Sequence, residues 1–325
     1  MNNRSAMTKQ TKQMRAATYE EFSGTEKIKV TTTDVPELKE GEVLVRIKAA
    51  GVNPVDAAVM QGYLKDFLPY TFPVIPGWDM AGVIEDRGFS ARRFKVGEEV
   101  YAYARRPMVQ HGTFAEYVVV PESYLAKRPE NISWEEASGI PLVGLTAYQS
   151  LYDAGQLQEG QTVLILGGSG GVGSLGIQLA KEKGATVIGV ASQKNHSFMK
   201  ELGADHTIDY KDTDVGAAVK EVSPEGVDLL FDCVSGDTLQ QSLKALKSGG
   251  KLVSILNHGE DLDKHIDFSY VFVEPNSSQL DHLRELADAG KLKVRVSETY
   301  NLDETAEALQ QIQTLHTTGK IVIVS

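Results

Sequence analysis

The stretch "LILGGSGGVG", residues 164–173, sets Gly168, Gly170 and Gly173 in the spacing G-x-G-x-x-G directly after an apolar run. The chemistry that needs this arrangement is anion binding. Glycine lets the backbone approach a pyrophosphate, and a helix starting at the turn aims free N–H groups and the positive end of its dipole at the charge. The competing reading is a tight turn with no ligand. Ribose specificity is read where the next strand ends, about twenty residues on. There "VIGVASQKN" (187–195) has no acid, and Ser192 and Lys194 stand where a cofactor with free ribose hydroxyls calls for Asp or Glu. A carboxylate repels a 2′-phosphate, whereas a hydroxyl and an ammonium hold one. NADPH is therefore expected over NADH; the plainer alternative for Lys194 is a solvated loop lysine.

Those residues need a strand before the turn, a helix after it and a second strand beyond. From Gly160 onward the chain supplies them: "TVLIL" (162–166), "TVIGVA" (186–191), "HTID" (206–209), "VDLLFDC" (227–233), "KLVSIL" (251–256) and "YVFV" (270–273) read as strands. Helical patterns lie between most of them, with Gly184, Gly203 and Gly249 placed as helix stops. Six strands so linked imply a parallel, doubly wound sheet. After a helix over 278–289, "VRVSETYNL" and "KIVIVS" return to strand texture around a helix at 303–318, and such a tail most simply rejoins the first domain. The first 130 residues or so are β-rich, as in "EVLVRIKAAGV" (42–52) and "GTFAEYVVVP" (112–121). They end in "SWEEASGIPLVGLTAYQSL", a helical signal that opens with Ser133 and Glu136 at capping-box spacing. The expected fold is α/β. A disordered polar arm (1–13) precedes a β-rich domain (14–140 and 292–325) and a Rossmann domain (141–291).

A chain of 325 residues has room for two such cores, and its net charge of -11 argues against a nucleic-acid or anionic-membrane partner. The single cysteine, Cys233, rules out an intramolecular disulfide and a Cys-rich zinc lobe. No run approaches the roughly 18 apolar residues of a membrane span, and the first residues lack a signal peptide's apolar core. A cytoplasmic protein is expected.

From Met14 onward the chain resembles the zinc-independent quinone oxidoreductase (ζ-crystallin-like) branch of the medium-chain dehydrogenase/reductases. The stretches that carry this are "MRAATYEEF", "AAGVNPVD", "FPVIPGWDMAGVI", "FKVGEEVYA", "GTFAEYVVV", "LTAYQSL", "GGSGGVG", "GADHTIDY" and "HTTGKIVI", in the family's order. The resemblance implies a GroES-like catalytic domain and a Rossmann domain with the active site between them, and by default a homodimer. It places Asn53 beside nicotinamide and substrate, and Thr146 against the nicotinamide. Ser169, Gly170, Gly171 and Val172 would cradle the pyrophosphate; Ser192, Lys194 and Tyr210 would surround the 2′-phosphate. Phe272 and Val273 would lie near the carboxamide, and Lys320 where the tail crosses back toward the cofactor.

Zinc-dependent relatives carry Cys, His and Cys or an acid where this chain has Asn53, Trp78 and Leu142. An amide, an indole and an isobutyl group cannot form a zinc site, and the seven histidines show no ligand spacing, so no metal is expected. Without a cation to polarise a carbonyl, the acceptor must carry its own activation. A quinone is expected first, with an enone or enal reduced at C=C as the alternative enzyme and a non-catalytic NADPH-binding protein as the alternative outside enzymes. Asn53 would donate a hydrogen bond to the developing oxyanion. The family's tyrosines after "NPVD" are replaced by Ala57 and Ala58, which leaves Tyr63, displaced by about a residue, as the expected proton donor. Asp56 is expected to cap the following helix or to orient Asn53.

Overall fold

The computed structural model describes residues 12–211 and 213–325. Most of the polar arm expected over 1–13 lies outside the described residues; Gln13 already pairs with Asp34 at the start of strand Gln13–Thr18.

The alternating segments from Thr162 onward build a six-stranded parallel sheet. Its order is His206–Ile208, Thr186–Val190, Thr162–Leu166, Val227–Asp232, Leu246–Ser254, Asp267–Tyr270. Such strands are buried on both faces and so read as apolar runs rather than alternations. Val163, Ile165, Val187, Leu229 and Phe231 pack on one face, and Leu164, Leu166, Ile188, Val190 and Leu230 on the other. Strand order reverses between Thr162–Leu166 and Val227–Asp232, which opens a crevice at their carboxyl ends. The glycine turn lies there, followed by helix Gly171–Glu182.

Gly184 and Gly203, at φ +83° and +106°, follow helices Gly171–Glu182 and His196–Glu201 as expected. Gly249 does not end a helix. It sits inside strand Leu246–Ser254, where the register to the neighbouring strand shifts and a φ of +76° accommodates the irregularity. The sixth strand is also earlier than expected: pairing with Lys251–Ser254 holds Asp267–Tyr270, so Phe272 and Val273 fall beyond its end.

The β-rich unit centres on a seven-stranded sheet. Its path runs Val296–Asn301, Lys320–Val324, Glu42–Val52, Asp79–Arg87, Glu99–Tyr103, Ala126–Lys127, with Tyr117–Pro121 also on Glu42–Val52. The tail does return: Ile321–Val324 pair antiparallel with Val52–Ala49. The Ser133–Glu136 capping box forms, with the Glu136 N–H donating to Ser133 Oγ at 3.1 Å and the Ser133 N–H to the Glu136 carboxylate at 2.9 Å. The helix it starts ends at Ser138; Pro141 opens a second helix, Pro141–Tyr148, which runs on as a π-helical segment, Gln149–Ala154. The two units meet in direct bonds, among them Tyr101 Oη donating to the Leu280 carbonyl at 2.6 Å.

At the glycine turn, a methyl group on Gly173 would stand 2.2 Å from the Gly167 carbonyl oxygen, whereas on Gly170 it would meet nothing nearer than 3.4 Å. Thermal unfolding should therefore show Gly173→Ala destabilised by on the order of 2–3 kcal/mol and Gly170→Ala by about 1 or less. Equal losses would refute this account of the turn.

Candidate active site

Strand Glu42–Val52 hands over to helix Pro54–Met60 through Asn53. Pro54 pre-sets the first helical φ, and the Asp56 carboxylate accepts the Asn53 N–H at 2.8 Å. Asp56 thus caps the helix, as expected, and leaves the Asn53 side chain for other partners. Asn53 Nδ2 donates to Asp79 Oδ2 at 2.9 Å, and Asn53 Oδ1 accepts from Lys320 Nζ. Lys320 also donates to the Val52 carbonyl at 3.0 Å and lies 3.7 Å from Asp79 Oδ2. The other Asp79 oxygen accepts the Leu142 N–H at 2.7 Å. Asn53, Asp56, Asp79 and Lys320 are all 4% exposed or less.

Two carboxyls and one ammonium out of water cannot all carry charge without cost. Burial pushes Asp56 up to about 8; the Asn53 N–H and Lys320 oppose the rise, and Asp79 adds to it. Burial also raises Asp79, to about 6, held back by Lys320 and by the Asn53 and Leu142 donors. Lys320 is pulled below its ordinary value by burial, against the attraction of both carboxylates. Burial thus pushes every member toward its neutral form, Asp56 the more of the two acids, while Lys320 and Asp79 hold each other charged.

The tail that delivers Lys320 also touches the glycine turn. The Gly319 N–H donates to the Ser169 carbonyl at 3.0 Å, Gly319 pairs with Gly170 as an isolated bridge, and the Lys320 stem runs against Gly171. Gly319 takes φ +80°, and a methyl group there would strike the Arg295 carbonyl at 2.3 Å. Next to it, Thr318 donates to Asn195, whose amide donates to Ser169 Oγ at 3.0 Å and Ser192 Oγ at 3.4 Å. First-turn N–H groups of helix Gly171–Glu182 have no intrahelical acceptor and face the crevice with Ser169. Pairing of Val190 with Ile208 brings Ser192 and Tyr210 out at the same level, each two residues past the sheet, and Lys194 is exposed beside them. Thr146 is buried in helix Pro141–Tyr148, its hydroxyl donating to the Leu142 carbonyl at 2.7 Å.

Tyr63 is not brought to this cluster. It follows a helix of seven residues, a rise of about 10 Å, and is 71% exposed in the turn beyond. Other groups near the cleft were not singled out in the sequence. Asp209 lies on the specificity loop, accepting from the Gln193 and Lys211 N–H groups; a scan of 187–195 misses it because it arrives on the next strand. Val234 and Leu256 stand exposed past the ends of the fourth and fifth strands, positions that the crevice rule marks once strand order is known. Buried Arg105 pairs with Glu274 at 2.7 Å, lies over the Phe272 ring, and approaches Tyr103, the cross-strand partner of Asp79.

Two family models match: "Alcohol dehydrogenase GroES-like domain" over residues 39–130 and "Zinc-binding dehydrogenase" over residues 202–323. The chain is 35% identical, over 96% of its length and 80% of the other's, to the NADPH-dependent alkenal/one oxidoreductase, chloroplastic, of Arabidopsis thaliana. It is 31% identical, over 96% of its length and 98% of the other's, to the chloroplast envelope quinone oxidoreductase homolog of the same plant. The solved quinone oxidoreductase from Coxiella burnetii superposes with a TM-score of 0.88 at 33% identity, covering 97% of this chain and all of that one. Among the described residues no three His, Cys, Asp or Glu side chains group to hold a metal. Asp79 has both oxygens occupied and an ammonium beside it.

The charge arrangement fixes a sign. Asp56 titrates at about 8 in the fold against 3.8 ordinarily, so between those values the folded chain holds the extra proton and stability falls as pH rises. Asp79, raised to about 6, adds the same sign over the lower part of that window. Asp56→Asn keeps an acceptor for the Asn53 N–H but cannot ionise. Its melting temperature should stay nearly flat from pH 6 to 8 where the wild type's declines; parallel curves would exclude a protonated Asp56.

Proposed function

This chain belongs to the medium-chain dehydrogenase/reductase superfamily, with the quinone and alkenal/one oxidoreductases, and we propose that it is a metal-free, NADPH-dependent reductase of an activated acceptor, first of all a quinone. One observation carries this reading: the tail joins the phosphate-binding glycine turn, through Gly319, to the buried Asn53 amide, through Lys320. Cofactor cradle and polar centre are thereby parts of one site.

NADPH, when bound, supplies the hydride. The chain's contribution is to hold, orient and exclude water. Ser169, Gly171, Val172 and Gly173 offer backbone donors to the pyrophosphate at a helix N-terminus, and Gly170, whose N–H closes the turn on the Gly167 carbonyl, leaves room for its approach. Lys194, with Ser192 and Tyr210, meets the 2′-phosphate; Asp209 nearby is held below the usual carboxylate range by the Lys211 and Gln193 N–H donors, stays ionised, and opposes that contact. Thr146, Phe272 and Val273 line the nicotinamide end. Of the two Asn53 amide protons, one is held by Asp79 at 2.9 Å; the other makes only a long bond to the Gly51 carbonyl, at 3.5 Å, which it can exchange for an acceptor oxygen as charge develops, a contribution of a few kcal/mol in a dry site. An amide does less for an oxyanion than a bound dication. That favours acceptors that delocalise the incoming charge themselves.

The second reading, reduction of an enone or enal at C=C, is supported by the Arabidopsis alkenal/one relative. Dimerisation along the edge strand Asp267–Tyr270 and a cytoplasmic site belong to the same proposal; no helix among the described residues is long and apolar enough to cross a membrane.

NADPH oxidation should be measured with a panel of quinones and of enones, with product analysis. Turnover of quinones to hydroquinones is expected, saturated carbonyl products would move the assignment to the second reading, and no turnover on either panel would remove both. Gly170→Ala, which the fold tolerates, should weaken NADPH binding by tenfold or more, about 1.4 kcal/mol. Lys194→Ala should raise KM for NADPH while leaving that for NADH nearly unmoved; an equal change in both would reject the 2′-phosphate contact.

A further inference from the structure

The Asn53 amide can sit two ways round, and only one suits its neighbours. With Oδ1 toward Lys320 and Nδ2 toward Asp79, each end meets a complementary group. Turned over, the NH2 would face an ammonium and the carbonyl a carboxylate. The more weakly held amide proton, on the Gly51 carbonyl at 3.5 Å, then points where it does because a cation and an anion grip opposite ends of the side chain. Lys320 is the member of this grip that reaches the glycine turn: its backbone follows Gly319, and its stem fills the space left by the missing side chain of Gly171. Its ammonium goes to Val52, Asn53 and Asp79, so it is engaged as a clamp rather than as a ligand to phosphate.

Resting on the hydride-transfer reading above, we propose that Lys320 is the positioning residue of this site, holding the Asn53 amide with its N–H edge toward the acceptor and tying that amide to the cofactor's turn. It touches neither acceptor nor reacting atoms and acts through Asn53. The titratable and charged groups facing the amide are Asp56 from its own helix, Asp79 from the adjacent strand and Lys320 from the tail; Tyr103 and Arg105 lie beyond Asp79, and Tyr19 beside Asp56.

The test uses the full chain and NADPH itself. For Lys320→Met, kcat with the best wild-type acceptor should fall on the order of 10²-fold, while the NADPH Kd from fluorescence titration without acceptor stays within about threefold. Lys320→Arg should recover part of the loss. Asp79 must be ionised to accept from both Asn53 and Leu142, so the wild-type acid limb of kcat/KM lies near its value of about 6; removing the ammonium should move that limb to higher pH. Should Lys320→Met not fold, Asp79→Asn decides, since it keeps an acceptor for Leu142 but offers Asn53 a second donor; the same loss of kcat is expected with the acid limb abolished. A kcat kept within about threefold, a limb that stays put, or a loss residing wholly in NADPH affinity would overturn the role.

A readout without acceptor separates the two levels. Lys320→Met and Asn53→Leu should shift the melting temperature less together than the sum of their separate shifts, because both break the same grip. Additive shifts would end the clamp whatever the turnover. A wild type idle with every acceptor but with coupled melting shifts would instead overturn the function on which the role rests.

Discussion

A lysine ammonium can be buried only where its charge and its protons are answered, and Lys320 is answered by groups from separate parts of the chain: the Val52 carbonyl, the Asn53 amide and the Asp79 carboxylate. That requirement aligns the rest of the site. The tail must add its strand beside Glu42–Val52 so that Lys320 stands opposite the strand's end. Asp79 must leave its own strand at the matching level, and Leu142 must present its N–H from the first helical turn after Pro141. Each is a backbone decision taken far apart in sequence, and the ammonium is where they meet. Charge balance then favours a proton on one acid: with one cation for two carboxyls, Asp56, whose Oδ1 has no partner, is the one burial pushes furthest toward the protonated form.

The same tail serves the nucleotide side. Gly319 bonds to Ser169, Thr318 to Asn195, and Asn195 to both Ser169 and Ser192, so three consecutive tail residues, Thr318 to Lys320, run from the specificity loop across the glycine turn to Asn53. A segment with contacts of this kind on both sides makes the relative placement of cradle and amide a property of one short strand. The rigidity that hydride transfer needs, with reacting atoms held at close range, comes from that strand as much as from either domain's core.

Much of this was legible in sequence because the signals are local. Apolar runs bounded by glycines mark the first five strands of the parallel sheet, and the capping boxes at Asn53 and Ser133 depend on residues three apart. The glycine turn carries its own spacing. The failures share a different cause. Gly249 looks like a helix stop because a left-handed glycine looks the same in a bulge, and only pairing with the neighbouring strand tells them apart. "YVFV" has strand composition, but pairing with the neighbour is taken by Asp267–Tyr270, and beyond it only the Val271 N–H still reaches that strand, at the Ser254 carbonyl. Tyr63 is read from the family's tyrosine position, displaced by about a residue, and the structure shows it 71% exposed after the helix Pro54–Met60. Arg105 arrives from another strand and leaves no mark near the motifs it adjoins, whereas Asp209 stands inside "GADHTIDY" beside Tyr210 and is passed over because the specificity scan ends at Asn195.

Lys320 shows why position and role separate. The resemblance places it where the tail crosses back toward the cofactor, and a lone lysine beside the glycine turn invites a phosphate contact. The hydrogen bonds assign it elsewhere, because an ammonium enclosed by a backbone carbonyl, an amide oxygen and a carboxylate gains more from them than from a solvated phosphate across a crevice. An amide so held offers its acceptor one oriented proton and little net charge, since Lys320 and Asp79 cancel. The field at the acceptor is therefore weak beside that of a dication. Selectivity for molecules that spread the incoming electrons over their own π system follows from that weakness, and it would survive many changes in the loops that shape the pocket.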